Sequence, residues 1–407
     1  AVFLGILLFT VLLGSGLPFF PLFLFTASLV GIYFVLGRNE KKREKDEVVR
    51  KEKDAVAAKK PEKVEGLLHV DPMELEIGYG LIRLVDPAQG GLLLERVTRI
   101  RRQMALDLGL VIPPVRIRDN MQLEPNLYVV KIRGVSVGTG TILADHFLAM
   151  DSGAASGPIE GVKTREPAFG LTAYWISEGQ RQRAEAMGYT VVDATTVLST
   201  HLTEIIKQNG ADLLTREDVN ALLKSLKENS PTVVEEVVPN VLKAGEVQKI
   251  LQNLLREGVS IRDLGTILEV LGDYGPKTKD PDVLTEYVRN ALSRTICQQH
   301  LEKDGKIYVI TLDPKLEDLV KSGTDRSEQG AALTLSPAMI MKIRERLARE
   351  VDKLIAAGHS PVILCTPQIR SQVRRIAEAV QSGIVVLSYN EILKEIPVEA
   401  LGMVAVE

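Results

Sequence analysis

The residues that could do chemistry are few and widely spaced in this chain. Glycines stand in "RGVSVGTGT" at 133–141, and "GDYGPKT" at 272–278 faintly resembles a phosphate-binding loop. Neither has the residue spacing and the strand-to-helix context that a nucleotide loop needs. The histidines include no pair at the spacing of a metal site, and the two cysteines lie far apart; these residues are His69, His146, His201, His300, His359, Cys297 and Cys365. We therefore expect no metal, no cofactor and no catalytic centre, and only a local hydrogen bond for His201.

The stretch "REPAFGLTAYWI" at 165–176 holds the only tryptophan of the chain, Trp175. Aromatic residues usually belong to a core, but Pro167 and Gly170 are typical of a turn that holds side chains at the surface. Two interpretations follow from the residues alone. The stretch is either a buried strand or the edge of a binding site.

The elements that would position this stretch alternate between helices and strands. Apolar residues at helical spacing predict a helix that ends at Gly109: Leu94, Val97, Ile100, Met104 and Leu108. "NLYVVKIRGVSVGTGTIL" predicts a β-hairpin, with glycines at its turn. "TTVLSTHLTEIIKQNG" predicts a second long helix.

The second half of the chain separates into a helical and an α/β part. Helix-start signals at Thr215, Ser260 and Asp280 predict an all-helical segment over 214–293. Three short β-rich runs then alternate with helices, which is typical of parallel pairing. We expect "KSGTDRSEQG" at 321–330 to be an exposed loop.

The first 37 residues contain no charged residue and exceed the length of one membrane span. We expect a complete transmembrane helix over 19–37 and, over 1–13, the end of another that is cut off upstream. A signal peptide is the alternative, but no basic region or cleavage site is visible. Basic residues follow directly at 38–43, so the positive-inside rule predicts a cytoplasmic linker and body. The net charge of −3 gives no reason to expect a nucleic-acid partner.

Three functions of different classes fit these observations. The chain could be a membrane-anchored enzyme, a membrane transporter with a regulatory cytoplasmic domain, or a platform that receives other proteins at the membrane. The scarcity of catalytic motifs argues against the first. Residue spacing does not decide between the other two.

Several blocks, in one order, closely resemble the FlhA family of type III secretion export gates. They include "DPMELEIGYGLIRLVD" at 71–86 and "IRRQMALDLGLVIPPVRIRDNMQLEPNLYVVKIRGVSVGTG" at 100–140. "GVKTREPAFGLTAYWI", "VLSTHLTEII" and "PVILCTPQIR" follow. The resemblance covers nearly the whole chain.

The resemblance implies an α+β multidomain body of four subdomains after N-terminal transmembrane helices. The implied segments are the membrane helices 1–37, a charged linker 38–71, a first subdomain 72–144 plus 194–213, an inserted second subdomain 145–193, a helical third 214–293 and an α/β fourth 294–407. It also implies a multi-pass protein of the bacterial inner membrane whose large domain lies in the cytoplasm.

The implied function is protein export and not enzyme catalysis. Such gates form a ring, usually of nine copies, that receives export chaperones carrying filament-type or hook-associated substrates. Their other implied partners are further export-gate membrane proteins, the export ATPase complex and membrane lipid. Export is driven by the proton motive force. The flagellar branch is favoured by "EPAFGLTAYW", and the virulence-secretion branch is the alternative.

The resemblance also implies a chaperone-binding groove between the first two subdomains. Its residues here are Glu166, Phe169, Val192, Val197 and Thr200, with Glu166 standing where the family has Asp. For the two valines an ordinary core position is the open alternative. We therefore expect residues 171–176 to form a strand with Trp175 inward, and Glu166 to Phe169 to form a turn that faces the groove.

Overall fold

The computed structural model describes Thr10 and residues 70–151, 153, 155–327, 330–381 and 383–406, without the side chains of 326, 327 and 330–332. The predicted membrane helices and linker lie outside these residues, apart from Thr10, Val70 and Asp71. None of the helices in the described part is long and apolar enough to cross a membrane. The strands are β1 (Met73–Ile77), β2 (Arg116–Asp119), β3 (Leu127–Ile132), β4 (Val135–Thr141), β5 (Phe147–Met150), β6 (Val162–Arg165), β7 (Thr172–Ile176), β8 (Thr190–Asp193), β9 (Ile307–Leu312), β10 (Thr324–Ser327), β11 (Gly330–Leu333), β12 (Val362–Cys365), β13 (Val385–Ser388) and β14 (Val398–Val404). The helices are α1 (Ile82–Val85), α2 (Leu93–Asp107), α3 (Arg181–Ala186), α4 (Ala194–Gln208), α5 (Gly210–Leu213), α6 (Arg216–Asn229), α7 (Pro231–Val237), α8 (Ala244–Arg256), α9 (Leu264–Tyr274), α10 (Pro281–Ala291), α11 (Ser293–His300), α12 (Pro314–Ser322), α13 (Pro337–Ala356) and α14 (Arg370–Glu378).

The first sheet has the strand order β2-β1-β3-β4 and shares a core with helices α2 and α4. Strands β3 and β4 form the predicted hairpin. Apolar and acidic residues alternate along β1, so one face joins the core and the other pairs its carboxylates with basic residues of β2 and β3. The predicted α2 helix is confirmed, but its buried stripe begins at Leu93. Leu94, which we had counted among the apolar residues at helical spacing, is 45% exposed because it lies one position around the helix from the stripe.

The second sheet is antiparallel throughout, in the order β6-β7-β5-β8. Trp175 on β7 is only 4% exposed and pairs with Leu148 of β5. The predicted strand with an inward tryptophan is therefore confirmed. Strand β8 leads directly into α4, whose first N–H groups are capped by Asp193.

The helical part, from α6 to α10, begins and ends as its capping residues dictate. Thr215 caps α6 in a reciprocal capping box, and Asp280 caps α10 with proline at the first helical position, as predicted. The predicted start at Ser260 is wrong. Helix α9 begins three residues later, where the Asp263 side chain accepts from the N–H of Thr266 at 3.2 Å.

The last sheet is wholly parallel, in the order β13-β12-β9-β14, which confirms the predicted α/β pairing. Residues 321–330 do not form a simple loop: α12 ends at Ser322, and β10 then pairs antiparallel with β11 as a hairpin. The polar composition of these residues gave no apolar alternation from which the strand could be predicted. Together these elements confirm the predicted α+β class. Residues 71–407 form one compact unit, and the four subdomain boundaries remain a prediction.

Candidate functional site

The turn before β7 is fixed by the side chain of Glu166. This residue is only 3% exposed, and its carboxyl oxygens accept from the N–H groups of Ala168 at 2.9 Å and Phe169 at 2.6 Å. Its own N–H donates to the carbonyl of Leu171, and its carbonyl accepts from Gly170, which has a φ of +70°. The Glu166 carboxyl therefore lies inside its own turn, and a role of this residue in binding a partner stays a prediction. A tight turn leaves N–H groups without backbone acceptors, and Glu166 supplies them.

Phe169 projects from this turn, and its side chain is 62% exposed, as predicted. Leu171, two residues later, is 45% exposed and lies just before β7 begins at Thr172. The strand prediction had included Leu171. The turn therefore presents two apolar side chains to the surface from a hydrogen-bonded backbone.

A buried polar pair joins the first sheet to helix α4. The hydroxyl of Tyr128 on β3 lies 2.6 Å from Nδ1 of His201 on α4, with the rings edge to face. The prediction of a local hydrogen bond for His201 is wrong, because its partner lies 73 residues away along the chain. Strand β4 makes room for the pair: a Cβ on Gly140 would lie 2.5 Å from the Tyr128 hydroxyl, and one on Gly138 would lie 2.4 Å from Ile205. These glycines therefore allow β4 to pack closely against Tyr128 and Ile205.

Electrostatics link this pair to the Glu166 turn. Burial raises the pKa of Tyr128 well above its ordinary value, and the negative charge of Glu166 raises it further. Burial lowers the pKa of His201, and the charge of Glu166 partly opposes that shift. Glu166 therefore acts electrostatically on both members of the buried pair.

Thr200 lines a groove of about 200 Å³ between helices α2 and α4. Its floor is apolar, made of Ile100 and Met104, which are 9% and 1% exposed. The polar residues that line it are Arg96, Arg99, Gln103, Ser199, Thr200 and Thr203. The groove is shallow, with an apolar floor and polar walls.

The structure separates the five predicted groove residues into three groups. Thr200 lines the α2–α4 groove, whose two helices both belong to the predicted first subdomain, so this groove differs from the predicted one between the first two subdomains. Phe169 is exposed on the turn before β7, and Glu166 is buried in that turn. Val197 is 3% exposed, so the core alternative applies to it, and Val192 is partly buried against the same core. The sequence reasoning missed Arg96 and Arg99. The sequence places both residues beside the buried stripe of α2, but it does not show that helix α4 lies opposite them.

A metal-binding group of three His, Cys, Asp or Glu side chains is absent from the described residues. The fold is that of type III secretion cytosolic domains. It resembles the CdsV protein of Chlamydia pneumoniae at a TM-score of 0.75 and 26% identity, covering 83% of this chain and 98% of that one. The nonameric EscV cytosolic domain from the type III secretion system gives a TM-score of 0.66 at 21% identity, covering 83% and 97%.

The chain belongs to the FHIPEP family, whose pattern matches residues 1–397. It is 45% identical to the flagellar biosynthesis protein FlhA of Bacillus subtilis over 374 residues, which are 92% of this chain and 55% of that relative. It is 36% identical to FlhA of Borreliella burgdorferi over 403 residues, or 99% and 57%. The chain therefore spans about half the length of the curated relatives it matches.

Proposed function

We propose that this chain works in the export gate of a flagellar type III secretion system and that residues 71–407 dock export chaperones with their bound substrates. Membership of the FHIPEP family and the 45% identity to a flagellar FlhA support the flagellar assignment. The observation that carries the docking role is Phe169, a 62% exposed ring on a turn whose backbone is already hydrogen-bonded. In this proposal residues 1–37 anchor the chain in the inner membrane and the body faces the cytoplasm.

The docking surface combines the Phe169 turn with the α2–α4 groove. An exposed aromatic ring on a fixed backbone buries a large apolar area at a small entropic cost, as residues that dominate binding energy do. A helical segment of the partner binds in the groove at Thr200, and its apolar residues pack on the apolar floor of the groove. Substrates delivered there pass to the membrane channel.

Assembly and energy supply complete the proposal. The EscV cytosolic domain is nonameric, and CdsV has been solved in complex with CdsO at a TM-score of 0.74 to this chain, with 25% identity and coverage of 83% and 98%. By analogy we propose that this chain also forms a ring, with further export-gate proteins, the ATPase complex and lipid as partners. The proton motive force drives export, so the chain itself acts as a receptor and not as an enzyme.

The test is binding by the full 407-residue chain in detergent. Purified export chaperone–substrate complexes of the same organism should be retained by the wild-type chain and released by Phe169→Ala. A chain that retains none of them, or that hydrolyses nucleotide as a monomer, contradicts the proposal. A virulence export gate is the second candidate because the CdsV and EscV structures share the fold. Restored swimming in a flagellar gate deletion separates the two.

A further inference from the structure

Several polar side chains of the α2–α4 groove already have hydrogen-bond or ion-pair partners within the protein. Gln103 donates to Asp107 at 2.7 Å, and Ser199 and Thr203 donate to carbonyls of their own helix. Arg96 lies 3.3 Å from a carboxylate oxygen of Asp193. These side chains are engaged within the protein.

Two polar groups of the groove differ from the rest. Within the described residues Arg99 makes no hydrogen bond or ion pair, and the hydroxyl of Thr200 has no side-chain partner. The guanidinium offers donors and no acceptor, and the hydroxyl can donate as well. A partner that satisfies both must therefore bring an acceptor.

The charge of the groove specifies that acceptor. Among the described residues that line it, only Arg96 and Arg99 are ionisable, and Asp193 pairs with Arg96. The remaining positive charge belongs to Arg99, an exposed residue that lies beside the apolar floor of Ile100 and Met104. A carboxylate matches the guanidinium in charge and in fork geometry.

We propose that Arg99 and Thr200 select an acidic side chain on the docked partner. The partner is a helical segment of an export chaperone or its substrate that places one Glu or Asp among apolar residues. The apolar residues cover the floor of the groove, and the carboxylate pairs with Arg99 while accepting from Thr200. This inference rests on the proposed docking function and adds the residue type that the groove recognises.

The experiment measures binding of a purified export chaperone–substrate complex of the same organism to the full chain in detergent. Arg99→Gln should weaken binding about tenfold, because the charged hydrogen bond to the partner's carboxylate is lost. Arg99→Glu should weaken it up to about a hundredfold, because its own carboxylate also repels that of the partner. Thr200→Val keeps the shape of the side chain and should cost about fivefold. Arg102→Glu is the matched control: it makes the same charge change on the same helix, outside the groove lining, and should stay within about twofold.

Salt dependence gives an independent readout. Raising NaCl from about 0.05 to 0.5 M should weaken wild-type binding more steeply than that of Arg99→Gln. Equal effects of Arg99→Glu and Arg102→Glu on a complex that the wild type binds overturn this inference alone. The inference is also overturned if the Arg99 variants change the oligomeric state of the chain but not its chaperone binding, because a second copy of the chain then occupies the groove. If the wild type binds no complex, the proposed function fails with it.

Discussion

Arg370 should be one of the most sensitive residues for folding, because it holds the helical part and the α/β part together. It is 1% exposed at the start of α14. Nε donates to Glu286 at 2.7 Å, and Nη1 donates to Glu257 and, at 3.2 Å, to the carbonyl of Val386. Nη2 donates to Glu257 at 3.0 Å and also to Glu286. All five N–H groups of the guanidinium therefore have acceptors, and both carboxylates come from the helical part.

The magnitude follows from what Arg370→Met would leave behind. Burial alone would raise the pKa of Glu257, but the charges of Arg289 and Arg370 outweigh it and hold the pKa at about 2. Burial raises the pKa of Glu286 even with Arg370 present. Without Arg370, the side chains of Glu257 and Glu286, which are 15% and 26% exposed, keep only Arg289, which also serves Glu391, and the charge of Arg374. Removing one partner of a buried pair costs about 3–5 kcal/mol, and because both carboxylates keep some contact with water we expect a loss near the lower end of that range at neutral pH.

Urea unfolding of residues 71–407 measures this loss, since they form one compact unit. Arg375→Met, on the same helix, is the control: its partner Asp282 is 3.3 Å away with both side chains at least 36% exposed, so it should cost less than about 1 kcal/mol. Adding Glu257→Gln and Glu286→Gln to Arg370→Met should restore most of the stability. Lowering the pH should also reduce the difference in unfolding free energy between wild type and Arg370→Met, because unpaired buried carboxyls have a raised pKa and are compatible with the fold only while protonated. A loss no larger than that of Arg375→Met would refute the reasoning.

Three further predictions concern the candidate site. Phe169→Ala should leave the free energy of unfolding within about 0.5 kcal/mol and weaken chaperone–substrate binding by about 2 kcal/mol or more; a low melting temperature or normal binding contradicts the docking role. Burial lowers the pKa of His201 below 6.5, so the unfolded chain binds more protons and stability falls as the pH drops through that value. His201→Gln should flatten the dependence of unfolding free energy on pH between about 7.5 and 5.5, and an unchanged slope refutes this. Gly140→Ala places a methyl group 2.5 Å from the Tyr128 hydroxyl and 2.7 and 2.8 Å from its Cζ and Cε1, and should cost about 1–3 kcal/mol; in a double-mutant cycle Tyr128→Leu, which removes the ring, should reduce that cost.

Local patterns predicted most of the elements in the described residues. The β3–β4 hairpin, the α2 and α4 helices and the parallel sheet follow from apolar periodicity and turn residues within each segment. The errors arose where local signals were ambiguous. The start at Ser260 was predicted from the S/T-x-x-D/E spacing, with Asp263 as its acidic partner, but in the structure Asp263 itself is the cap.

The candidate site was less predictable, because its contacts join distant residues. Nothing near His201 in the sequence indicates Tyr128, and nothing near Arg99 indicates that Thr200 lies across a groove. The burial of the Glu166 carboxyl was not predicted for the opposite reason. Its partners are the N–H groups two and three residues later, but an acidic residue before proline is typical of a solvated turn. Only the packing of the turn shows that this carboxyl is buried.

The burial of Glu166 explains why the exposure of Phe169 matters. A ring on a loose loop would lose backbone and side-chain freedom on binding, and that cost would offset the apolar area it buries. Here the N–H groups of Ala168 and Phe169 already have acceptors, and the positive φ of Gly170 closes the turn. A partner therefore needs to cover the ring without supplying hydrogen bonds to the turn. Glu166 therefore supports the turn from within, and the exposed ring of Phe169 stands on a backbone that is already fixed.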